Sequence, residues 1–126
     1  MMLIIGESTM NVKDFYDQID GDYDDVLERF GDESLVKRFA LKFLSDDSFN
    51  GLEQKINSCD VQEKFRAAHT LKGVCANLGF SQLFNYSSEL TELFRAGRTD
   101  GETELFEKLR NQYALTVDSL KNLQLD

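Results

Sequence analysis

The chain has 126 residues, 41% of them hydrophobic, with ten Phe, four Tyr and no Trp, which suits one domain with a core of its own. Its net charge of −9 speaks against nucleic acid, whose phosphates reward Lys and Arg. The opening MMLII is an apolar run far shorter than a signal h-region or a membrane span, so the expected setting is cytoplasmic, with no membrane partner.

Proline is absent and no stretch alternates with the period of a strand, so Gly and Asp punctuate a string of helices. The first is expected over Asn11–Gln18, with Val12, Phe15 and Ile19 as its apolar side. A second covers Asp22–Phe30 with Asp22 as N-cap. A third runs from Glu33 to Ser45 on Leu35, Val36, Phe39, Phe43 and Leu44, capped by Asp32. The fourth spans Ser48–Ser58 through Phe49, Leu52 and Ile56, with Asp46 or Asp47 as its cap. The fifth begins after Asp60 and ends at Gly79, placed as a C′ glycine after Leu78. The sixth starts at Ser81 and ends near Gly97, with Leu83, Ser87, Leu90 and Phe94 along one side. The last is long, Glu102 to about Gln124, on Leu105, Leu109, Tyr113, Val117, Leu120 and Leu123.

Helices joined by such short loops become antiparallel neighbours. The expected fold is therefore all-α: an up-down antiparallel four-helix bundle built by the later helices, with additional short N-terminal helices packed over one end. Residues 1–126 read as a single domain, 1–32 as cover helices and 33–124 as the bundle region. A bundle of this size closes its own core, so a monomer is expected.

Charge is uneven along the chain. Asp20–Glu33 carries seven carboxylates against one Arg, whereas Lys64, Arg66 and Lys72 all lie within five residues of the one histidine, His69. The ordinary meaning of such a spread is a solvated face. Cys59 and Cys75 stand without a second pair, which indicates neither a zinc ribbon nor a disulfide framework. Cys75 falls on an apolar stripe, as a small buried thiol does.

A helix turns about 100° per residue, which fixes the faces of Val61–Leu78. Val61, Phe65, Ala68, Leu71, Cys75 and Leu78 cluster in one arc and face the core. His69 lies on the flank, and Lys72, Gly73 and Ala76 share it. Taken singly, these are a half-exposed histidine, a solvated lysine and a glycine at a close helix contact. The last fails on geometry, because Gly73 points further from the core than His69 does.

One function accounts for all three: accepting a phosphoryl group. A neutral imidazole is a nucleophile near pH 7, since the ordinary histidine pKa is about 6.5. Its bond to phosphorus is labile and suited to passing the group onward. Lys72, one turn along, can neutralise the bound group, and a small residue at 73 lets the donor approach in line. Gly inside a helix costs about 1 kcal/mol relative to Ala, so clearance gives the weakening residue a purpose.

HTLKGVCANLG resembles the signature of histidine-containing phosphotransfer (HPt) domains, H-x-L-K-G followed by a small, mixed stretch and L-G. The resemblance runs more loosely from ERFGDESLVKRFALKFLSDD through AAHTLKGVCANLG to LTELFRAG, roughly Val26–Leu123. It implies that His69 is phosphorylated on Nε2, that Lys72 and Gly73 support it, and that Phe65, Arg66, Ala76 and Asn77 belong to the docking surface. Many members place a Gln on the facing helix, hydrogen-bonded to the imidazole. The antiparallel partner of His69 falls near Leu90–Glu92, and counting from the motif puts Thr91 at the Gln position, where its hydroxyl would orient the ring.

The implied role is a relay. His69 takes the group from a receiver-domain aspartate and passes it to another receiver, so the partners are response-regulator receivers and/or a hybrid sensor kinase. Any Mg²⁺ would belong to the receiver. No nucleotide loop of the G-x-x-x-x-G-K-[ST] kind is present, so a carrier without ATP site, cofactor or metal is expected, not an enzyme. A helical adaptor that docks on receivers without being phosphorylated is the alternative. A carboxylate-bridged metal bundle needs Glu-x-x-His pairs, and one His cannot supply them.

Overall fold

The computed structural model describes residues 10–125, and every regular element within them is helical. The opening MMLII run lies outside the described residues. The helices are α1 Val12–Gln18, α2 Tyr23–Phe30, α3 Glu33–Lys42 running into a 3-10 turn Phe43–Ser45, α4 Ser48–Lys55, α5 Val61–Leu78, α6 Ser81–Arg95 and α7 Glu102–Gln124. None of the described helices is long and apolar enough to cross a membrane.

Aspartates start most of these helices by accepting otherwise unpaired backbone N–H groups. Asp22 accepts from Asp25, Asp32 from Ser34, and Asp60 from Gln62 and Glu63. At α4 it is Asp46 whose carboxylate takes the Ser48 N–H, at 2.8 Å, while Asp47 makes no such bond. α4 ends at Lys55, one turn short of Ser58, and α6 ends at Arg95 instead of near Gly97.

The chain reverses at Gly79–Phe80 between α5 and α6, and this pair shares the most extensive contact in the fold. α4 packs on α5, α6 packs on α7, and aromatic stacking closes the ring from α4 to α7. Phe49 lies flat against Tyr113 at 3.9 Å and against Phe106 at 5.6 Å, and Glu53 pairs with Arg110 beside them. Leu52, Ala68, Leu71, Cys75, Leu83, Leu90, Phe94 and Leu109 fill the interior. Each large side chain buried there contributes about 1.5–3 kcal/mol.

α1 packs on α2, α3 and α7. Its Tyr16 hydroxyl donates to the Leu78 carbonyl at 2.6 Å, and burial pushes that phenol far above its ordinary range. α7 is therefore covered on two sides. Leu109, Leu120 and Leu123 of its expected stripe are buried, Leu105, Tyr113 and Val117 only half-buried, and Phe106, Thr116 and Ser119 join the buried set. Both hydroxyls are satisfied: Thr116 donates to the Gln112 carbonyl one turn back, and Ser119 donates across to the Gln18 side chain of α1.

Lys64 departs from the solvated face expected of it. It sits one turn before Ala68 on the inner side of α5, 5% exposed, with Nζ 2.8 Å from Glu102 and over the Phe94 ring. Glu102 opens α7 at that end of the bundle, so the lysine's charge is matched where its stem is buried.

Gly79 is held in the left-handed conformation (φ 70°), and its carbonyl accepts the Asp22 N–H at 2.9 Å. A Cβ there would collide with Val26 Cγ2 and lie 3.0 Å from the Asp22 carbonyl oxygen. Gly79→Ala is expected to destabilise the fold by roughly 2–4 kcal/mol, from backbone strain and overpacking together. Urea unfolding measures it, and an unchanged midpoint would contradict this account of the α2–α5 junction.

Candidate functional site

The buried side of α5 is set by Ala68, Leu71, Cys75 and Leu78, so its opposite side faces outward. His69, Gly73, Ala76, Asn77 and Arg66 are exposed there, while Phe65 and Lys72 are half-buried on the side toward α6. Burial pushes the Cys75 thiol up to about 12, which keeps it an inert part of the core. The outward ridge carries the sequence's candidates together, with His69 at its middle.

Phe65, one turn before His69, lies nearly parallel to the imidazole, with ring centroids 5.7 Å apart and planes 12° from parallel. The Arg95 guanidinium of α6 stands 4.9 Å over the Phe65 ring. Arg95 Nε in turn donates to both carboxylate oxygens of Glu92, at 3.1 and 3.3 Å. That hydrogen bond first, then the charges of Arg95, Lys72 and His69, hold the Glu92 carboxyl below its usual range.

Thr91 does not orient the ring. It is fully buried, and its hydroxyl donates to the Ser87 carbonyl at 2.7 Å, one turn back in its own helix. A short β-branched side chain at this point of the bundle is drawn into the interior and bonded there. Glu92, the next residue round the helix, is the one whose charge reaches His69. Among the described residues neither ring nitrogen of His69 has a hydrogen-bond partner. Glu92 and Arg95 are the members of the site that sequence reasoning missed. Their trace in the sequence is an acidic–basic pair three apart, at the height on α6 that faces His69.

Lys72 runs across the α5–α6 seam, its Nζ 4.0 Å from Glu92 Oε2 and 6.0 Å from the Phe84 ring centroid. A partly exposed pair at that separation contributes on the order of 0–1 kcal/mol, so the ammonium is only weakly held by Glu92. At Gly73, a Cβ would meet nothing within 4 Å. The glycine makes no close helix contact, and the space beside His69 is open.

The remaining docking candidates spread along the ridge. The Ala76 carbonyl accepts from Arg29 of α2 at 3.4 Å, and Ala76 borders a cleft of about 300 Å³ with Asp22, Asp25, Phe84 and Asn85. Arg66 lies on the other side, in a cleft of about 630 Å³ between α4 and α5 that Lys55, Glu63 and Thr70 also line. The arrangement presents an accessible imidazole, a cation able to swing to it, and room for a donor to approach along the ridge.

A family model described as the Hpt domain matches residues 42–121, from the end of α3 into the last turns of α7. No curated protein and no solved structure matches the chain.

Proposed function

The chain belongs to the Hpt domain family, whose members carry phosphoryl groups in two-component phosphorelays, and from that premise we propose that His69 is the residue that carries the group. Hpt domains are phosphocarriers, not enzymes, and they work with receiver domains and kinases. The observation that carries the assignment is the exposed imidazole beside the open space at Gly73. In the reaction, His69 Nε2 attacks the phosphorus of a receiver's aspartyl phosphate in line. The N–P bond forms as the P–O bond to the aspartyl carboxylate breaks, and the electron pair leaves with that carboxylate. The imidazole proton stays on Nδ1 or passes to solvent. Lys72 leaves Glu92 to face the new negative charge, as phosphoryl transfer by positioning and electrostatics requires. The group then moves from His69 to a second receiver.

Phe65, Arg66, Ala76 and Asn77 form the docking surface in this reading, and the chain acts as a cytoplasmic monomer, a single domain in which α1 and α2 are the cover helices. Incubating the protein with a receiver phosphorylated on aspartate tests the proposal: acid-labile phosphate should appear on this chain and leave it when an unphosphorylated receiver is added. A docking adaptor would bind the receiver and acquire none.

Lys72→Ala is expected to slow transfer about tenfold and to shorten the lifetime of phosphorylated His69, because a charge-assisted contact to the phosphoryl group is lost. Its melting temperature should stay within about 1 °C of the wild type, since the 4.0 Å pair it breaks is weak and partly exposed. Rapid-quench transfer kinetics and thermal melting check both halves. Wild-type kinetics would make Lys72 an ordinary surface lysine.

A further inference from the structure

We propose that Arg95 is a positioning residue for His69, acting through Phe65. The proposal rests on His69 being the phosphoryl acceptor. An exposed imidazole with no hydrogen bond to either nitrogen turns freely about its outer side-chain torsion, which is broad and two-fold. In-line attack by Nε2 on a donor held in a docked receiver needs the ring plane fixed. No donor or acceptor on the facing helix supplies that here, because Thr91 is bonded to Ser87 in the interior.

A line of contacts from α6 supplies it instead. Both Glu92 oxygens accept from Arg95 Nε, so the arginine is anchored within its own helix. Its guanidinium lies over the Phe65 ring, and the Phe65 ring lies parallel to the imidazole. Cation–π and stacking contacts thus hold the ring plane where a hydrogen bond could. They do so without occupying Nδ1 or Nε2, so both nitrogens stay available for the nucleophilic step and for the proton. The clamp also spans the α5–α6 seam, tying the orientation of the ring to the helix pair on which a receiver would dock.

The test uses Arg95→Ala and Phe65→Leu, with Phe65→Tyr as the variant that keeps the stack. Side-chain NMR of unphosphorylated protein reads the clamp directly: the His69 ring protons should lose their ring-current shift in Phe65→Leu, move partway in Arg95→Ala, and stay near wild type in Phe65→Tyr. Transfer from a phosphorylated receiver should fall roughly three- to tenfold in kcat for both Arg95→Ala and Phe65→Leu, and kcat should recover in Phe65→Tyr. KM should be unchanged in Arg95→Ala and raised in Phe65→Leu, because the Phe65 ring also belongs to the docking surface. Labelling by phosphoramidate, a small donor free to approach the ring from any side, should stay at the wild-type rate in Arg95→Ala. Unmoved His69 resonances in both variants would overturn the clamp. So would a loss confined to KM in Arg95→Ala, which makes the arginine a docking contact only. If phosphoramidate and receiver alike leave the wild type unlabelled, the acceptor assignment itself fails, and the NMR result still decides the clamp.

Discussion

His69→Gln is expected to lose all acid-labile phosphate uptake from a phosphorylated receiver while melting within about 2 °C of the wild type. The chain has one histidine, so the substitution removes every imidazole at once. The fold should not notice, because His69 is exposed, and its ring stacks on Phe65, itself half-buried. Gln is also a good helix former, so α5 loses no propensity. The amide is too weak a nucleophile to form the phosphoryl bond. Labelling from the receiver followed by acid treatment, alongside circular dichroism melts, gives both readings. Acid-labile phosphate on the variant would place the acceptor elsewhere and end the reading of this ridge as a phosphocarrier site.

How far the site was legible follows from which forces set each residue. Helices and their starts could be read because the governing interactions are local: an aspartate side chain reaches N–H groups two or three residues on, as at Asp22, Asp32 and Asp60. Period alone gave the buried side of α5 for Ala68, Leu71, Cys75 and Leu78. It also placed Val61 and Phe65 in the core, but both are only half-buried, Phe65 turning toward α6 beside His69. The period could not assign Lys64, whose burial depends on Glu102 arriving from a distant helix. Nor could it find Phe106, Thr116 and Ser119, because α7 is wrapped by α1 and α3 as well as α6, and a helix with several partners has no single apolar stripe.

Thr91 illustrates the limit most clearly. Counting outward from Gly79 gave the right level on the facing helix but left the rotation about its axis open. One residue is about 100° of turn, enough to exchange an interior hydroxyl for an exposed carboxylate. Thr91 is buried and Glu92 exposed on that account. The pairing of Glu92 with Arg95, and of Arg95 with Phe65, spans two helices and became visible only once their relative rotation was known.

Gly73 should show stability and transfer moving in opposite directions. Gly73→Ala removes the entropic cost of glycine inside a helix, and the added methyl meets nothing within 4 Å. The isolated domain should gain up to ~1 kcal/mol, which for a chain of this size raises the melting temperature by roughly 3–5 °C. Transfer should slow all the same, because the methyl stands one turn from His69 in the space the receiver must enter. Gly73→Leu should nearly abolish transfer, since its larger side chain fills that space while the protein stays folded. Gly51 supplies the control: it too lies inside a helix, α4, with nothing within 4 Å of an added Cβ. Gly51→Ala should gain comparable stability and leave transfer unchanged. Melting and receiver-to-His69 transfer, measured on the same preparations, separate the possibilities. Destabilisation by Gly73→Ala would mean that the glycine has a packing role after all. Normal transfer by Gly73→Leu would refute the clearance argument.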